Sequence, residues 1–403
     1  MSETILHIQK VAGIAGSEVY LLSLLPALRE RGWDVRLVML HEREPGAHEF
    51  ARELSARGVP IDAIPLVGDV DALAFGRLVS LVARTRPLAL HTHLVHADFY
   101  GQLAGKLVGV PLRISMKHGF NEFRELGSFA FADRAVASLA HANIAISRGL
   151  AAYLAEAEGF DESAFHIVHY GIAAGPEPVP YPGGAHLICV GRLIPIKGHI
   201  LLLRAFAAAR REVTELTLDI AGWGPLEPAL RALAKELDVE DSVRFLGPVV
   251  PIQPAVEDAA IVVLPSLGEG FGMAALEAME RARPVIATQI GGLVDQIRHG
   301  ETGLLVPAGD ADALSDAIVE LVRDPDRAAE LGRAGRRRAL DRFAEKRSVD
   351  RVEILYRALL GERLPESARS YAASVPDAMR STENSRNARS RPAAPSRSPR
   401  PGS

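Results

Sequence analysis

The chain has 403 residues, long for one hydrophobic core and natural for two domains of roughly 150–200 residues each. Its 46 basic and 50 acidic side chains leave a net charge of -4, which gives no basis for a dedicated nucleic-acid binder. The single cysteine, Cys189, excludes an internal disulfide and suits a reducing compartment, and no window approaches the roughly 20 apolar residues that a membrane span requires.

The opening MSETILHIQK runs directly into a strand-like segment. It lacks the basic stretch and long apolar core of a secretion signal, so a cytoplasmic location is expected. Residues 5–9 predict a first strand, 11–17 a loop and 18–31 an amphipathic helix in which Pro26 is an irregularity. DVRLVML, LALHTHL and LRISMKHG continue the alternation of buried strand and helix, and ANIAIS and HIVHYG close the first unit. Residues 171–184, dense in glycine and proline, can continue neither a helix nor a central strand. A first domain over 1–172, a linker over 173–184 and a second domain over 185–345 are therefore expected.

The second unit repeats the pattern from HLICVGRL onward and centres on residues 259–288, which read as strand, glycine-rich loop, helix and strand. Such a loop sits at the carboxyl end of a strand, where a helix N-terminus offers unpaired N–H groups. Gly268, Gly270 and Gly272 let a ligand approach the backbone. Glu269 and Glu277 bracket the helix start; by itself Glu269 reads equally as a helix-capping carboxylate. In VGRLIPIKG, Arg192 and Lys197 place two cations at a strand end, suited to a leaving group that gains negative charge, although such residues alone are also ordinary surface charges. His118, in MKHG, ends a strand; a lone histidine there also fits a structural role.

His91, His93 and His96 invite a metal, but no carboxylate or thiol at ligand spacing joins them before Asp98, so no metal is assigned. Asp310 and Asp312 precede a helix after GLLVPAG and read as capping residues. Residues 346–362 carry a last amphipathic helix. From 365 to 403 the chain is rich in Ser, Arg, Pro, Asn and Ala and is expected to be a disordered basic tail, a solvated extension or a contact for anionic lipid.

EGFGMAALE, with GRLIPIKG, IAGWGP, FLGPV and GGLVDQIRHGETGLLVP in this order, resembles the retaining glycosyltransferases of family 4, which have the GT-B fold. The resemblance covers about residues 5–361. It implies two Rossmann-like, doubly wound α/β domains facing across a cleft, with the C-terminal helix crossing back to the first. It further implies that Glu269 and the N–H groups of Gly270, Phe271 and Gly272 hold a donor sugar, that Glu277 binds the nucleotide ribose, and that Arg192 and Lys197 bind the diphosphate. VAGIAGSEVY resembles the family's opening glycine pair, which suits a phosphate. Ala15 replaces the first glycine and only Gly16 remains. In the family a histidine at the position of His118 faces the donor sugar.

The activity so implied is transfer of a sugar from a nucleotide-diphosphate donor, UDP- or GDP-linked, to a glycan, lipid-linked or small-molecule acceptor. Neither metal nor cofactor is implied, and the setting would be cell-envelope polysaccharide synthesis. Phe120, Phe123, Phe129 and Phe131 lie in the region that lines the acceptor side in this fold; they fit either a core-packing helix or an entrance for a lipid, with peripheral contact at the inner membrane face. A nucleotide-sugar 2-epimerase and a non-catalytic nucleotide-sugar binder are the alternatives.

Overall fold

The computed structural model describes residues 4–42, 44–120, 127–159 and 161–361, with backbone alone at 127–130 and 158. The first sheet comprises β1 (Ile5–Lys10), β2 (Val35–His41), β3 (Ile61–Pro65), β4 (Ala89–His93), β5 (Leu112–Lys117), β6 (Ala142–Ala145) and β7 (Phe165–Ile167). The second comprises β8 (His186–Val190), β9 (Thr217–Ala221), β10 (Val243–Gly247), β11 (Ile261–Leu264), β12 (Val285–Thr288) and β13 (Leu304–Val306). The strand orders are β3-β2-β1-β4-β5-β6-β7 and β10-β9-β8-β11-β12-β13, and every strand pair is parallel. This is the two-sheet, doubly wound α/β architecture expected from the alternation. Strands such as β4, β5 and β11 are buried along their whole length because helices cover both faces.

The connections of the first unit are α1 (Gly16–Glu30), α2 (Pro45–Ala56), α3 (Ala72–Thr85), α4 (Leu94–Val108), α5 (Gly127–Ala137) and α6 (Arg148–Glu158). Those of the second are α7 (His199–Glu212), α8 (Glu227–Glu236), α9 (Gln253–Asp258), α10 (Met273–Glu280), α11 (Leu293–Gln296) and α12 (Ala311–Arg323). Two helices follow, α13 (Pro325–Arg342) and α14 (Glu345–Leu359). In α1 the stripe Leu21, Leu24, Leu25 and Leu28 is fully buried. Pro26 has no N–H for the Leu22 carbonyl one turn earlier; Arg57 Nη1 donates to that oxygen instead, at 2.8 Å.

The segment between the sheets is tied to the second one. Buried Arg283 donates to the carbonyls of Val179 and Pro180 at 3.3 Å, and Gly175 N–H donates to Glu280 at 3.0 Å. Helix α14 packs on α1 of the first unit, where Glu353 accepts from Arg31 Nη1 at 2.7 Å and Trp33 Nε1 at 3.3 Å. Tyr356 on the same helix is fully buried. Among the described residues no helix is long and apolar enough to cross a membrane. The basic tail from 365 lies outside the described residues.

Candidate functional site

In an open parallel sheet the loops on either side of the reversal in strand order diverge and leave a crevice. In the second sheet the reversal falls between β8 and β11, and the loops after those strands carry Lys197 and Glu269. Lys197 Nζ lies 2.5 Å from Glu269 Oε2. The pairing depends on Gly198, whose φ is +71° and whose missing Cβ would sit 2.0 Å from the Pro265 carbonyl oxygen. No side chain fits there, so the turn carrying Lys197 presses directly on the end of β11. Arg192 is exposed and forms no ion pair among the described residues. Glu277, on α10, is partly buried, and burial pushes its carboxyl up to about 7.

The loop between β11 and α10 is clamped through its carbonyls. Gly292 N–H donates to the Glu269 carbonyl at 3.0 Å, Ser147 Oγ to that of Gly270 at 2.6 Å, and Gln296 Nε2 to that of Phe271 at 2.6 Å. Gly291 makes this possible: with φ +46°, a Cβ on it would lie 1.9 Å from the Glu269 oxygen. The N–H groups of Gly270, Phe271 and Gly272 donate to no partner among the described residues. Carbonyls fixed by these bonds, in a loop whose N–H groups have no acceptor among the described residues, suit the loop to cradle an oxygen-rich ligand. The Phe271 ring is buried against His169, Tyr170 and Phe343 and anchors the loop from below.

The loops of the first sheet meet this one directly. A Cβ on Gly270 would lie 2.8 Å from the His118 carbonyl oxygen. Gly16 begins α1, and Glu18 accepts from Ala15 N–H at 3.1 Å and from the side chains of Gln9 and Ser17. Ala15 has φ -133°, an extended conformation any residue adopts, so alanine in place of glycine strains nothing. A Cβ on Gly16 would meet no described atom outside its own helix nearer than 4.0 Å, on Tyr170; packing among the described residues does not require glycine there, and the bare backbone remains open to a ligand.

His118 stands at the strand end as expected, yet its ring turns into the first unit. Nε2 lies 2.9 Å from His93 Nδ1, and Nδ1 makes a short contact with the Tyr170 hydroxyl. Both nitrogens are engaged, so the imidazole reaches a donor only by exchanging one of these bonds, and the group that faces Gly270 is the backbone carbonyl. His91 and His93 stack at 4.4 Å between centroids. His96 instead turns to Asp69, at 2.8 Å. A histidine not expected there, His7, completes the cluster: one ligand nitrogen from each of His7, His91 and His93 lies within 4.8 Å of the others. These nitrogens bond to one another and to Tyr356. Burial pushes His7 and His118 down to about 3, which keeps both neutral. Asp310 accepts from Ala313 N–H at 2.9 Å and caps α12.

Phe120 packs edge-on against Tyr153 with centroids 4.5 Å apart, and Phe131 is 74% exposed. Phe123 is outside the described residues, as is the Phe129 side chain.

Four further residues join the units and carried no signal in the sequence. Asp295 Oδ2, on α11, accepts from Arg148 N–H at 2.9 Å and lies 2.8 Å from His169 Nε2. Arg351 Nη1 lies 2.8 Å from the other ring nitrogen of His169. One carboxylate of the second unit thus holds both the start of α6 and the segment after β7.

Two family models match the chain: "Glycosyl transferase 4-like domain" over residues 15–171 and "Glycosyl transferases group 1" over residues 184–324. A GDP-mannose-dependent alpha-(1-6)-phosphatidylinositol monomannoside mannosyltransferase of Mycobacterium tuberculosis is 38% identical over 159 residues, 37% of this chain and 41% of the relative. That match therefore spans about two fifths of the relative's length. A D-inositol 3-phosphate glycosyltransferase of Pseudarthrobacter chlorophenolicus is 29% identical over 364 residues, 80% of this chain and 86% of that protein. The fold is similar to that of Anabaena HepE in complex with UDP and glucose, with a TM-score of 0.74, 19% identity, and coverage of 88% and 99% of the two chains.

Proposed function

The chain belongs to the group 1 glycosyl transferases of GT-B fold, and from that premise we propose that it moves a sugar from a nucleotide-diphosphate donor to a hydroxyl acceptor with retention of anomeric configuration. The observation that carries this reading is the cradle at 269–272. Its three N–H groups are unused within the described residues and sit beside Lys197, Glu269 and Glu277 at the strand-order reversal.

In this reading the Glu277 carboxylate accepts hydrogen bonds from the ribose hydroxyls. Arg192 and Lys197 meet the diphosphate, whose charge grows as the sugar–phosphate bond breaks; fixed cations and N–H groups stabilise it without reorganising. Glu269 and the N–H groups of Gly270, Phe271 and Gly272 hold the sugar, and Gly16 admits the diphosphate from the opposite side. These groups supply the positive field, so the proposed reaction needs neither metal nor cofactor. Retention is assigned to attack on the face the diphosphate leaves, with the leaving oxygen taking the acceptor proton. His118 contributes through its carbonyl and through the groups its ring binds. The units 1–172 and 185–345 close about the linker 173–184, and the Ser147–Gly270 and Arg148–Asp295 bonds are the contacts of the closed form.

Names of relatives support a UDP- or GDP-linked donor and a glycan, inositol-type or lipid-linked acceptor in the cell envelope. Work at the inner face of the cytoplasmic membrane accords with this. The test is incubation of the protein with single UDP- and GDP-sugars and candidate acceptors, following nucleoside diphosphate release and the product's anomeric proton by NMR. Acceptor-dependent release with the donor's own configuration is expected. An inverted product would contradict retention, and a new sugar nucleotide formed without acceptor would replace transfer by epimerisation.

A further inference from the structure

Four imidazoles and two phenols form one unbroken hydrogen-bonded line through the first unit. The Tyr356 hydroxyl bridges His91 Nδ1 at 2.6 Å and His7 Nε2 at 3.1 Å. His7 Nδ1 then meets His93 Nε2 at 2.9 Å, and His93 Nδ1 meets His118 Nε2 at 2.9 Å. The line ends at the short contact of His118 Nδ1 with the Tyr170 hydroxyl. His7, His91, His93 and Tyr356 are completely buried, and no described carboxylate hydrogen-bonds to any member.

A neutral imidazole carries one N–H and one lone pair, and a phenol one O–H. Each contact holds a single proton, so with the Tyr356 oxygen accepting one bond and donating the other the line is ordered in one of two ways, with every proton directed toward His91 or every proton directed toward Tyr170. The first order leaves a surplus N–H on His91 Nε2, a buried atom with no partner among the described residues. The second leaves only a lone pair there and makes the Tyr170 O–H the surplus donor. Each order leaves one surplus donor: at His91 it is sealed away from any described acceptor, whereas at Tyr170 it borders the open position at Gly16, where water or a ligand oxygen accepts it, and the second order prevails.

Tyr170 occupies the place where the two units meet. Its ring stacks on Tyr20 at 4.6 Å, touches Phe271 edge-on at 5.5 Å, and is the protein group nearest the open position at Gly16. We propose that the histidine line directs the Tyr170 hydroxyl proton toward the cleft, making Tyr170 a donor-binding residue and His7, His93 and His118 positioning residues behind it. This rests on the glycosyl-transfer reading above. A hydroxyl that accepts one hydrogen bond donates the next more strongly, so the line prepares a neutral donor for a diphosphate oxygen beside Gly16. The inward turn of His118 then follows: its ring acts on the substrate through Tyr170.

The test is long-range 1H–15N correlation of the histidine rings in the full chain, which separates the Nδ1–H from the Nε2–H tautomer. In the wild type at pH 7, His7, His91, His93 and His118 are expected to be neutral with the proton on Nδ1. Tyr170→Phe strands an N–H at His118, so the two orders compete, and His93 and His7 gain the Nε2–H form up to three hydrogen bonds away. Tyr356→Phe ends the line at a lone pair on His7 and leaves His118 unchanged. Nucleoside diphosphate affinity should fall about tenfold in Tyr170→Phe and stay constant in Tyr356→Phe. Nε2–H tautomers at His93 and His118 in the wild type would overturn the proposal, as would a Tyr170→Phe spectrum with His7 and His93 unmoved. The expected tautomers with diphosphate affinity unaffected by Tyr170→Phe would overturn the binding role of Tyr170 alone. The same tautomers in a wild type that binds no diphosphate would overturn the glycosyl-transfer reading instead.

Discussion

Lys197 Nζ and Glu269 Oε2 stand 2.5 Å apart, on the two loops that diverge at the strand-order reversal of the second sheet. The carboxylate occupies the ammonium on which the proposed reading relies for the diphosphate. An incoming diphosphate must therefore compete with Glu269 for Lys197. Glu269→Gln removes the competitor and is expected to leave nucleoside diphosphate affinity equal to or tighter than wild type, while sugar transfer falls by about a hundredfold or more. Lys197→Ala is expected to lose the affinity itself. Calorimetric titration of both variants checks this; weakened diphosphate binding in Glu269→Gln would show that the carboxylate helps to hold the diphosphate rather than compete for it.

A second prediction concerns Glu277, whose carboxyl burial raises from 4.5 to about 7. The unfolded chain gives up this proton at lower pH than the folded one. Between about pH 4.5 and 7 the folded state therefore binds more protons, and the contribution to stability falls as pH rises. Above about pH 7 the penalty is complete, at most about 3 kcal/mol. Glu277→Gln should raise the melting temperature at pH 8 and not at pH 4, while weakening nucleotide binding. Equal effects on stability at both pH values would contradict the shift.

Much of this was legible in the sequence, and the exceptions have two causes. Residues 259–288, with strand, loop, helix and strand, declared themselves through apolar runs and spaced glycines. Helix α13 did not: its buried face is Ala328, Leu331, Gly332, Gly335 and Ala339, too small and sparse to give an apolar stripe, because Gly332 packs against the Ala282 carbonyl. His7 looked like one residue of a buried strand. Its role arises from register, since β1 pairs with β4 so that His7 lies beside His91 and Gln9 beside His93. That proximity joins positions far apart in the chain and has no local signature. Asp295, His169 and Ser147 were hidden for the same reason, each acquiring its role from a partner in the other unit.

The buried cation Lys117 gives a stability prediction. Its Nζ bonds to Asp98 at 2.7 Å and Asp133 at 2.9 Å, with all three side chains at most 1% exposed. Lys117→Met removes the cation that both buried carboxylates share. A loss of roughly 3–5 kcal/mol is expected, read as a lower denaturant midpoint for the first unit. A loss below about 1 kcal/mol would mean that the aspartates take up protons or water at little cost.

Closure supplies another. Asp295→Asn keeps the shape of the contact and removes the charge that holds Arg148 N–H and His169. Nucleoside diphosphate affinity should be unchanged, kcat/KM should fall about tenfold, and X-ray scattering should report a larger radius of gyration. An unchanged radius together with unchanged kinetics would remove Asp295 from the closing contact.

The most direct measurement is a thermal-shift panel of UDP, GDP, ADP, CDP and dTDP, free and sugar-linked, against the wild type and Lys197→Ala. A ligand at a hundred times its dissociation constant stabilises a fold by about 2.7 kcal/mol, a shift easily resolved. At least one nucleoside diphosphate should raise the melting temperature of the wild type and leave that of Lys197→Ala in place. Equal shifts in both proteins, or none in either, would contradict a diphosphate site at Lys197 and the transfer reaction built on it.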